Sequence, residues 1–564
     1  MIGLGCMRLS TVEPRDPARG IAVIHAALDA GVRLLDTADA YCLNDSETGH
    51  NERLIAEALK TWKGDAGGVV VATKGGLVRP GGRWITDGRV KHLREACLAS
   101  LRALDVPAID LYQLHAVDPR VPLETSVRAL AALQQEGRIR RIGLSNVTVG
   151  QIQAARKIAA IASVQVSVSP FDDENLRNGV VEYCRDHGIQ LIAYRPLGGS
   201  RLKKLEKEPV LHQLAAAHRA TPHEIVLAWL LALAPKIIPI PGATREITAR
   251  SIGRALSIEL SERDREQLDE RFPAGRSLRR PKAALHALPA KTEGEVVLVM
   301  GMPGAGKSTV AAEFVLRGYE RLNRDTAGGR LSDLVPELDA GLTAGRRYWV
   351  LDNTYASRGS RNEVIECAAR HGVAVRCVRL MTSLADGQIN AVCRLIEAHG
   401  KLPMPEELRA LGKSDHRFFG PDAQFRYERQ VEPPVMEEGF SAIEERPFVR
   451  QAMAGFDQKA IFIAHDAVRG CIDTYADTGD RLLAIGWRPQ VSEGETTDAE
   501  LGTGIEFAYC PHPAGPPVCW CRKPLPGLIL QFAFRYRLAL DQCVYIGRSP
   551  ADRTLAERLG MIYR

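Results

Sequence analysis

Short apolar runs alternate with amphipathic stretches over the first 270 residues of the chain. The apolar runs have the length of buried strands, and they are Val32–Leu35, Val69–Ala72, Ile109–Leu114, Ile142–Leu144, Val164–Val166 and Gln190–Ala193. Between them, apolar residues recur with the spacing of helices that cover a sheet. About eight such strand–helix units fit into this length, which predicts a parallel (β/α)8 barrel with its chemistry at the strand ends.

This pattern breaks between Phe272 and Glu295, where proline, arginine, lysine and alanine dominate. We interpret residues 273–295 as a basic linker. A second alternation of strands and helices begins at Val296–Met300, and a third begins at Ala460–Ile463 and continues to the C-terminus. The pattern therefore predicts an α/β chain with domains at 1–272, 296–450 and 451–564.

The composition excludes several classes of protein. Hydrophobic residues make up 45% of the chain and charged residues 25%, which is ordinary for globular proteins and unlike disordered or collagen-like chains. No apolar run approaches the roughly 18–20 residues that span a bilayer, and the N-terminus has no basic segment followed by an apolar core. We therefore expect a cytoplasmic protein without a membrane partner.

Charge and cysteine content constrain the chemistry only weakly. The chain has 74 Lys and Arg against 68 Asp and Glu, a formal charge of +6 that permits nucleic-acid binding without arguing for it. Twelve cysteines in 564 residues are too few for a disulfide scaffold, so their spacing matters more than their number.

Four polar residues lie at or just after predicted strand ends in the first domain: Asp36, Tyr41, Lys74 and His115. Each alone is compatible with an ordinary structural role. Together they supply a phenol whose pKa a neighbouring ammonium can lower, a carboxylate that orients that lysine, and an imidazole that positions a carbonyl oxygen. The combination favours acid–base chemistry on a carbonyl group.

Residues 1–270 resemble the aldo-keto reductases. The four residues match that family's catalytic tetrad, and the segments "NERLIAEAL" and "GRIRRIGLSN" match its surrounding sequence. The resemblance implies hydride transfer from NADP(H) to an aldehyde or ketone while Tyr41 protonates the oxygen.

The same resemblance implies a set of cofactor contacts. Ser145, Asn146 and Gln165 would hold the nicotinamide carboxamide, and Tyr194 would stack on the ring. Arg245, in "IPIPGATREITARS", would bind the 2′-phosphate and favour NADPH. This segment departs from the family at Arg250-Ser251, where Glu-Asn is usual, and Arg250 could add affinity for the phosphate.

The second domain opens with a phosphate-binding motif. "VVLVMGMPGAGKSTV" has the G-x-x-x-x-G-K-[ST] spacing between a predicted strand and a helix, with the nucleotide-binding residues Gly301, Gly304, Gly306, Lys307, Ser308 and Thr309. Backbone N–H groups would wrap the β-phosphate, Lys307 would reach the β/γ oxygens and Ser308 would bind Mg²⁺. The motif predicts a P-loop NTPase-type fold that binds ATP or GTP with Mg²⁺.

Residues 296–448 resemble the 5′-hydroxyl polynucleotide kinases, especially the kinase half of animal polynucleotide kinase-phosphatases. The match includes "LNRDTAGG", "WVLDNTYASRGSRNEVIECAARHG" and "FRYERQVEPPVMEEGFSAIEERPF". It implies that Asp325 is the general base and that Asp352 organises the acceptor site. Arg394 would be the lid arginine that stabilises the transferred phosphoryl group.

The third domain resembles haloacid-dehalogenase-type phosphatases, and in particular the bisphosphate phosphatases with a zinc loop. "AIFIAHDAVRG", Lys523 in "CRKPLPG" and "VYIGRSPAD" stand at that family's motifs. The zinc ligands would be Cys510, His512, Cys519 and Cys521, whose C-x-H…C-x-C spacing suits one tetrahedral structural Zn²⁺. The resemblance predicts a HAD-like Rossmannoid domain.

Several of that family's catalytic residues are replaced in this third domain. With Asp466 as the second aspartate of the first motif, the nucleophile position is Ala464, and the Gly-Asp of the last motif reads Gly547-Arg548, although Asp552 remains. The alternative register, with Asp466 as nucleophile, leaves Val468 as the acid. An aspartyl-phosphate mechanism needs both the carboxylate and a metal site. We expect a vestigial module without phosphatase activity, used for docking or nucleic-acid contact.

The three domains together predict an enzyme that processes nucleic-acid ends. The kinase would phosphorylate 5′-OH ends of DNA or RNA, and the reductase would act on aldehydes left at damaged or cleaved strands. The alternative is a metabolic fusion of a small-molecule carbonyl reductase with a small-molecule kinase.

Overall fold

The computed structural model describes residues 1–233, 236–275, 293–329, 331–451, 453–475, 479–489, 504–513 and 519–564. The chain forms two compact units, residues 1–282 and 283–564. Most of the predicted linker, residues 276–292, lies outside the described residues.

A closed eight-stranded barrel forms the first unit. Its strands, all parallel and in the order β1-β2-β3-β6-β7-β8-β9-β10, are β1 (Gly3–Gly5), β2 (Leu34–Asp36), β3 (Val70–Gly75), β6 (Leu111–Leu114), β7 (Ile142–Ser145), β8 (Ile161–Ser167), β9 (Gln190–Tyr194) and β10 (Ile237–Ile240). The amide of Gly5 donates to Pro241 O at 3.0 Å and joins the first strand to the last. The predicted (β/α)8 barrel is confirmed.

Twelve helices belong to the described part of this unit, and most of them lie between the strands. They are α1 (Pro17–Asp29), α2 (His50–Thr61), α3 (Val90–Leu104), α4 (Leu123–Gln135), α5 (Val149–Arg156), α6 (Glu174–Arg177), α7 (Val180–Asp186), α8 (Leu202–Leu205), α9 (Pro209–Ala217), α10 (Pro222–Leu233), α11 (Glu246–Arg254) and α12 (Glu262–Arg271). Asp16 caps α1, and a reciprocal Thr148–Gln151 capping box begins α5. The antiparallel hairpin of β4 (Leu77–Val78) and β5 (Ile85–Thr86) follows β3.

A five-stranded parallel sheet begins the second unit. Its order is β12-β13-β11-β14-β15, from β11 (Glu295–Met300), β12 (Glu320–Leu322), β13 (Tyr348–Asn353), β14 (Ala374–Leu380) and β15 (Ala442–Arg446). The helices around it are α13 (Lys307–Val315), α14 (Arg324–Ala327), α15 (Leu334–Thr343), α16 (Arg358–Arg370), α17 (Leu384–His399), α18 (Pro405–Ser414) and α19 (Pro421–Gln430). The side chains of β11 from Val296 to Met300 are fully buried, as expected for a central parallel strand.

A second five-stranded parallel sheet completes this unit. Its order is β18-β17-β16-β19-β20, from β16 (Ala460–Ala464), β17 (Arg481–Trp487), β18 (Ile505–Cys510), β19 (Val544–Ile546) and β20 (Ile562–Tyr563). Its helices are α20 (Val468–Tyr475), α21 (Gly527–Tyr536) and α22 (Pro550–Leu559).

One apolar core joins the second sheet to helices that lie between β14 and β15 of the first sheet. Val392 and Leu395 of α17 belong to the same buried cluster as Phe462 of β16 and Ile529 of α21. Helix α17 therefore rests on the last sheet. Within the described ranges, no helix has the length and apolarity needed to cross a bilayer.

Candidate active sites

The reductase-like tetrad converges at the carboxyl ends of the first barrel strands. The ammonium Nζ of Lys74, which is 1% exposed, donates to Asp36 Oδ1 at 2.6 Å and to Thr37 O at 2.8 Å. It also lies 3.2 Å from the hydroxyl of Tyr41. Asp36 ends β2 and Lys74 lies near the end of the adjacent strand β3, so the barrel register brings the pair together.

The direction of the Tyr41 pKa differs from the sequence-based expectation. Burial raises the pKa of the Tyr41 phenol well above its ordinary value, and the negative charge of Asp36 adds to the rise. The sequence analysis expected a neighbouring ammonium to lower this pKa, whereas burial and the Asp36 carboxylate set the direction of the shift in the structure. Tyr41 rests as a protonated phenol, which is the form that can give a proton.

His115 is held as a neutral imidazole beside Tyr41. Burial and the charge of Lys74 lower the pKa of His115 well below its ordinary value. Its ring centroid lies 5.6 Å from that of Tyr41, and its Nδ1 has no hydrogen-bond partner among the described residues. A neutral imidazole beside Tyr41 can meet a carbonyl oxygen without adding a charge to the pocket.

The predicted carboxamide-binding residues form a connected polar network next to the tetrad. The Asn146 side chain donates to His115 O at 3.1 Å, and its Oδ1 accepts from the Tyr194 hydroxyl at 2.8 Å. Ser145 lies directly opposite Gln165 in the barrel sheet, and the Gln165 side chain accepts from Gln113 Nε2 at 2.7 Å. Local sequence patterns could not indicate Gln113, because its partner is 52 residues away.

The two candidate phosphate-binding arginines differ in their surroundings. Arg245 is exposed immediately before α11. Arg250 lies one turn further on and pairs with Glu246 at 2.8 Å. Its neighbour Ser251 donates to the buried Glu224 at 2.8 Å, so this serine supports the helix packing.

The P-loop of the second unit has the backbone shape that its glycines predict. Gly304 and Gly306 have φ of +85° and +89°, values that side-chain-bearing residues rarely adopt. A Cβ at Gly304 would lie 2.6 Å from Gly387 O, whereas the space beside Gly306 is open. Ser308 and Thr309 are exposed at the start of α13, where backbone N–H groups favour an anion.

Three distant side chains fix the carbonyl groups of this loop. Asn390 donates to Gly304 O at 2.9 Å, Gln424 to Pro303 O at 2.8 Å and Thr382 to Ala305 O at 3.0 Å. Their separations of 77 to 121 residues explain why no local pattern could identify them. They turn the loop carbonyls away from the anion side of the cradle.

Lys307 and the other predicted kinase residues share one electrostatic environment. The Lys307 ammonium donates to Gly301 O at 3.0 Å and to Met302 O at 2.8 Å, and its burial lowers its pKa to about 8. Asp325 and Asp352 raise this pKa while Arg394 lowers it, so all three charges act on the lysine. The structure thus brings together the residues predicted as base, acceptor residue and lid arginine.

Arg417 is a second arginine at this site, and sequence reasoning missed it. Arg394 Nη1 donates to Arg417 O at 3.3 Å. Burial and the charge of Arg417 lower the pKa of Arg394, while Asp325 opposes the shift. Arg417 follows α18 in a loop without any recognisable motif, and its guanidinium pairs with Asp415 at 2.6 Å while the charge of Asp325 also acts on it.

Asp352 is buried on the P-loop side of the site. Its carboxylate, 0% exposed, accepts from Arg321 at 2.6 and 2.7 Å and from Ser308 Oγ at 3.2 Å. A carboxylate next to a P-loop serine is a common arrangement for holding Mg²⁺. Asp352 therefore lies directly beside the P-loop serine.

The last sheet keeps a lysine–carboxylate pair but lacks the predicted nucleophile. Asp552 is 0% exposed and accepts from Lys523 Nζ at 2.6 Å, from the Tyr545 hydroxyl at 2.9 Å and from Ser549 Oγ at 2.6 Å. Burial alone would raise the pKa of Asp552, but the bonds from Lys523 and Ser549 lower it. Ala464 ends β16 fully buried, and Asp466 is exposed in the following turn.

The four predicted zinc ligands converge in the same region. The donor atoms of Cys510, His512, Cys519 and Cys521 all lie within 4.8 Å of one another. Two sulfurs are 3.7 Å apart, and His512 Nδ1 lies 3.2 Å from Cys521 Sγ. Three thiols and an imidazole at such separations suit one tetrahedral ion with soft ligands.

The zinc-ligand segment contacts the kinase-like part through Trp520. This indole is 2% exposed, and its Nε1 donates to Phe419 O at 3.1 Å. Phe419 lies two residues after Arg417. The ligand segment therefore supports the loop that carries the second arginine.

Comparison with known proteins agrees with the class of reductase that this barrel and tetrad define. The model described as aldo/keto reductase family matches residues 1–271, and one described as AAA domain matches residues 296–388. An uncharacterized oxidoreductase of Schizosaccharomyces pombe is 35% identical over 48% of this chain and 85% of its own length. A probable aldo-keto reductase of Glycine max is 33% identical over 49% of this chain and 86% of its own length.

The chain belongs, through its first unit, to the aldo/keto reductase family. Among solved structures, an aldo/keto reductase from Klebsiella pneumoniae in complex with NADP and acetate is 27% identical. The match covers 48% of this chain and 91% of the Klebsiella chain, with a TM-score of 0.42.

Proposed function

We propose that this chain is a cytoplasmic enzyme that processes nucleic-acid ends, with an NADPH-dependent aldehyde reductase and an NTP-dependent 5′-hydroxyl polynucleotide kinase in one polypeptide. The division into domains 1–272, 296–450 and 451–564 is part of this proposal. The observation that carries the kinase half is the convergence of Asp325 and Arg394 on the P-loop lysine.

The reductase step follows from the tetrad. NADPH, when bound, supplies the hydride that the carbonyl carbon receives. Tyr41 gives its phenolic proton to the carbonyl oxygen, and Lys74, 3.2 Å from that hydroxyl, stabilises the phenolate that remains. Neutral His115, whose ring lies 5.6 Å from that of Tyr41, orients the oxygen.

The polar network beside the tetrad fits a nicotinamide cofactor. Ser145, Asn146 and Gln165 offer amide and hydroxyl groups that a carboxamide can bind, and the Tyr194 bond to Asn146 fixes the aromatic ring. Arg245 would bind the 2′-phosphate. Arg250 is the next candidate because its partner Glu246 is an exposed residue that can release it.

The kinase step uses the open P-loop and the acidic residues around it. ATP or GTP with Mg²⁺, when bound, supplies the phosphoryl group. Lys307 would exchange its two loop carbonyls for phosphate oxygens, and Ser308 with Asp352 would hold the metal ion. Asp325 accepts the proton of the attacking 5′-hydroxyl, and Arg394 with Arg417 neutralises charge on the transferred group.

The C-terminal part serves the kinase as a folded support. We assign it to the haloacid-dehalogenase type without phosphatase activity, because Ala464 offers no nucleophile. Cys510, His512, Cys519 and Cys521 would hold one Zn²⁺, which supplies folding free energy when bound. The hydrogen bond from Trp520 to Phe419 O connects this support to the loop that carries Arg417.

The kinase proposal is tested with radiolabelled ATP or GTP and single strands of DNA and RNA that carry a 5′-hydroxyl. We expect label at the 5′ end, loss of labelling in Asp325→Asn, and unchanged labelling in Glu337→Gln, an exposed acid on α15. Labelling of nucleosides or sugars in place of strands would favour the metabolic alternative. Absence of any transfer would reject the kinase.

A further inference from the structure

A hairpin next to the tetrad brings an arginine and a tryptophan together. In this hairpin Leu77 pairs with Thr86 and Val78 with Ile85, so Arg79 and Trp84 occupy the next facing positions. The hairpin follows Gly75, the last residue of the strand that carries Lys74, and therefore begins at the active end of the barrel.

Arg79 is buried without a full set of partners. It is 6% exposed, its backbone amide donates to Asp45 Oδ1 at 2.6 Å, and its Nη2 donates to Leu43 O at 3.2 Å. Its Nε and Nη1 have no hydrogen-bond partner within the described residues. Buried charged donors without acceptors are costly, and such groups are commonly completed by a ligand or an ion.

Nearby acidic residues do not neutralise this guanidinium. Glu47 is engaged by Arg15, with two contacts of 2.7 and 2.9 Å. Asp45 accepts the backbone amide of Arg79, and the structure records no ion pair of Arg79 with any described residue. The positive charge therefore has no acidic partner in the described part of the chain and can meet an anion once the Trp84 indole, which lies over the guanidinium, moves aside.

Trp84 connects Arg79 to the catalytic pair. The guanidinium carbon lies 3.8 Å from the centroid of the indole ring. That ring lies 6.3 Å from the ring of Tyr41 and 6.3 Å from that of His115. Trp84 is 47% exposed, so a substrate can displace or slide along its indole. The guanidinium is one aromatic ring away from the position of the reacting carbonyl.

We propose that the reductase site takes carbonyl compounds that carry an anionic group, a carboxylate or a phosphate, and that Arg79 binds this group. This inference rests on the reductase half of the proposed function. The carbonyl would lie against Tyr41 and His115, the carbon chain along Trp84, and the anionic oxygens against Nε and Nη1 of Arg79. An aldehyde beside a strand phosphate has this chemistry, and so has a small acidic aldehyde.

The test compares kcat/KM for NADPH oxidation within two matched pairs of aldehydes. Butanal and succinic semialdehyde form the carboxylate arm, and glyceraldehyde and its 3-phosphate form the phosphate arm. We expect a preference of about tenfold or more for the anionic member in at least one arm, since one charged hydrogen bond is worth about this factor. The arm that shows this preference identifies the bound group as a carboxylate or as a phosphate.

Variants then assign the preference to Arg79. Arg79→Met should reduce the ratio of the two kcat/KM values nearly to one, mainly through the KM of the anionic aldehyde, and Arg79→Lys should restore part of it. Arg83→Met removes an exposed arginine of the same hairpin and should keep the wild-type ratio. If Arg79→Met fails to fold, Arg79→Lys gives the decisive ratio.

Two outcomes overturn the inference while the reductase stands: equal turnover of both members in both arms, or an unchanged preference in both Arg79 variants. Absence of NADPH oxidation with all four aldehydes is a different result, because it rejects the reductase half of the proposed function and the inference with it.

Discussion

The barrel and the last sheet of the second unit each end in a buried lysine–carboxylate pair. Lys74 lies 2.6 Å from Asp36, and Lys523 lies 2.6 Å from Asp552. In the barrel the lysine also reaches the hydroxyl of Tyr41, a group that can transfer a proton. In the last sheet the Tyr545 hydroxyl bonds the carboxylate itself, and the central strand β16 ends in the apolar residue Ala464.

The two sites show that the residues that support a catalytic group can be present without the group that reacts. A buried ion pair is kept wherever its removal would leave one charge unpaired, whether or not chemistry continues beside it. The presence of Lys523 and Asp552 therefore does not by itself indicate activity. Whether such a site is active depends on the residues that donate a proton or act as a nucleophile.

The largest effect is expected from Tyr41→Phe, which would leave the Lys74–Asp36 pair of the barrel without the hydroxyl that transfers the proton. Loss of the proton donor should lower the rate of carbonyl reduction by about 10²- to 10⁴-fold. NADPH binding, followed by nicotinamide fluorescence, should persist because little volume is lost.

Tyr183→Phe provides the matched control for Tyr41→Phe. It removes a phenol that bonds Arg156 on the outer helices, and it should leave the rate unchanged. A Tyr41→Phe enzyme with wild-type turnover would show that another group protonates the carbonyl oxygen.

Cys519→Ser should remove the structural metal of the second unit. We expect about one zinc per chain in the wild type and a large loss in the variant, because a tetrahedral site needs all four ligands. The unfolding temperature of the second unit should fall, while carbonyl reduction by the barrel remains. Elemental analysis and thermal unfolding measure both effects.

Cys543→Ser is a suitable control for that experiment, since Cys543 is a buried thiol outside the ligand cluster. It should retain zinc. Wild-type protein without zinc after preparation in metal-buffered medium would contradict the metal assignment.

A smaller effect is expected from Trp520→Phe, which keeps the aromatic packing but removes the bond to Phe419 O. One lost hydrogen bond costs about 1 kcal/mol, which should loosen the segment that presents Arg417. We expect kinase kcat to fall several-fold with zinc content unchanged. Equal kcat in Trp520→Phe and wild type would show that the contact supports packing alone.

The pH dependence of reduction should show no step near neutrality. Burial raises the pKa of Tyr41 and lowers that of His115, so between about pH 6.5 and 9 the phenol stays protonated and the imidazole stays neutral. A profile of kcat/KM that bends near pH 6.5 would mean that His115 titrates and would contradict this arrangement.

No effect is expected from Asp466→Ala on phosphate release. Strands with a 3′-phosphate should stay intact with both the wild type and the variant, since β16 ends in Ala464. A Mg²⁺-dependent 3′-phosphatase that disappears in Asp466→Ala would refute the vestigial role and restore the alternative register of the motif.

Local sequence predicted the strand-end residues well, because each stands just after an apolar run that becomes a strand. Asp36 and Lys74 belong to this group. The named runs missed β1, whose three residues are Gly-Leu-Gly, and β10, which contains Pro239. Both strands are too short or too irregular for a period-based signal.

Long-range properties could not be read from the sequence. Asn390 reaches the P-loop across 86 residues, and Trp520 reaches Phe419 across 101. The depth of burial that raises the pKa of Tyr41 depends on the closed barrel around it. The unpartnered donors of Arg79 are also visible only once its neighbours are in place.

The account is tested most directly by a single strand that carries both a 5′-hydroxyl and a ring-opened abasic aldehyde. After incubation with NADPH and ATP or GTP, mass spectrometry should find strands that have gained two hydrogens and one phosphoryl group. Tyr41→Phe should give the phosphoryl gain alone, and Lys307→Ala the hydrogen gain alone. A strand that stays unchanged while small aldehydes and small alcohols are converted would contradict a role at nucleic-acid ends.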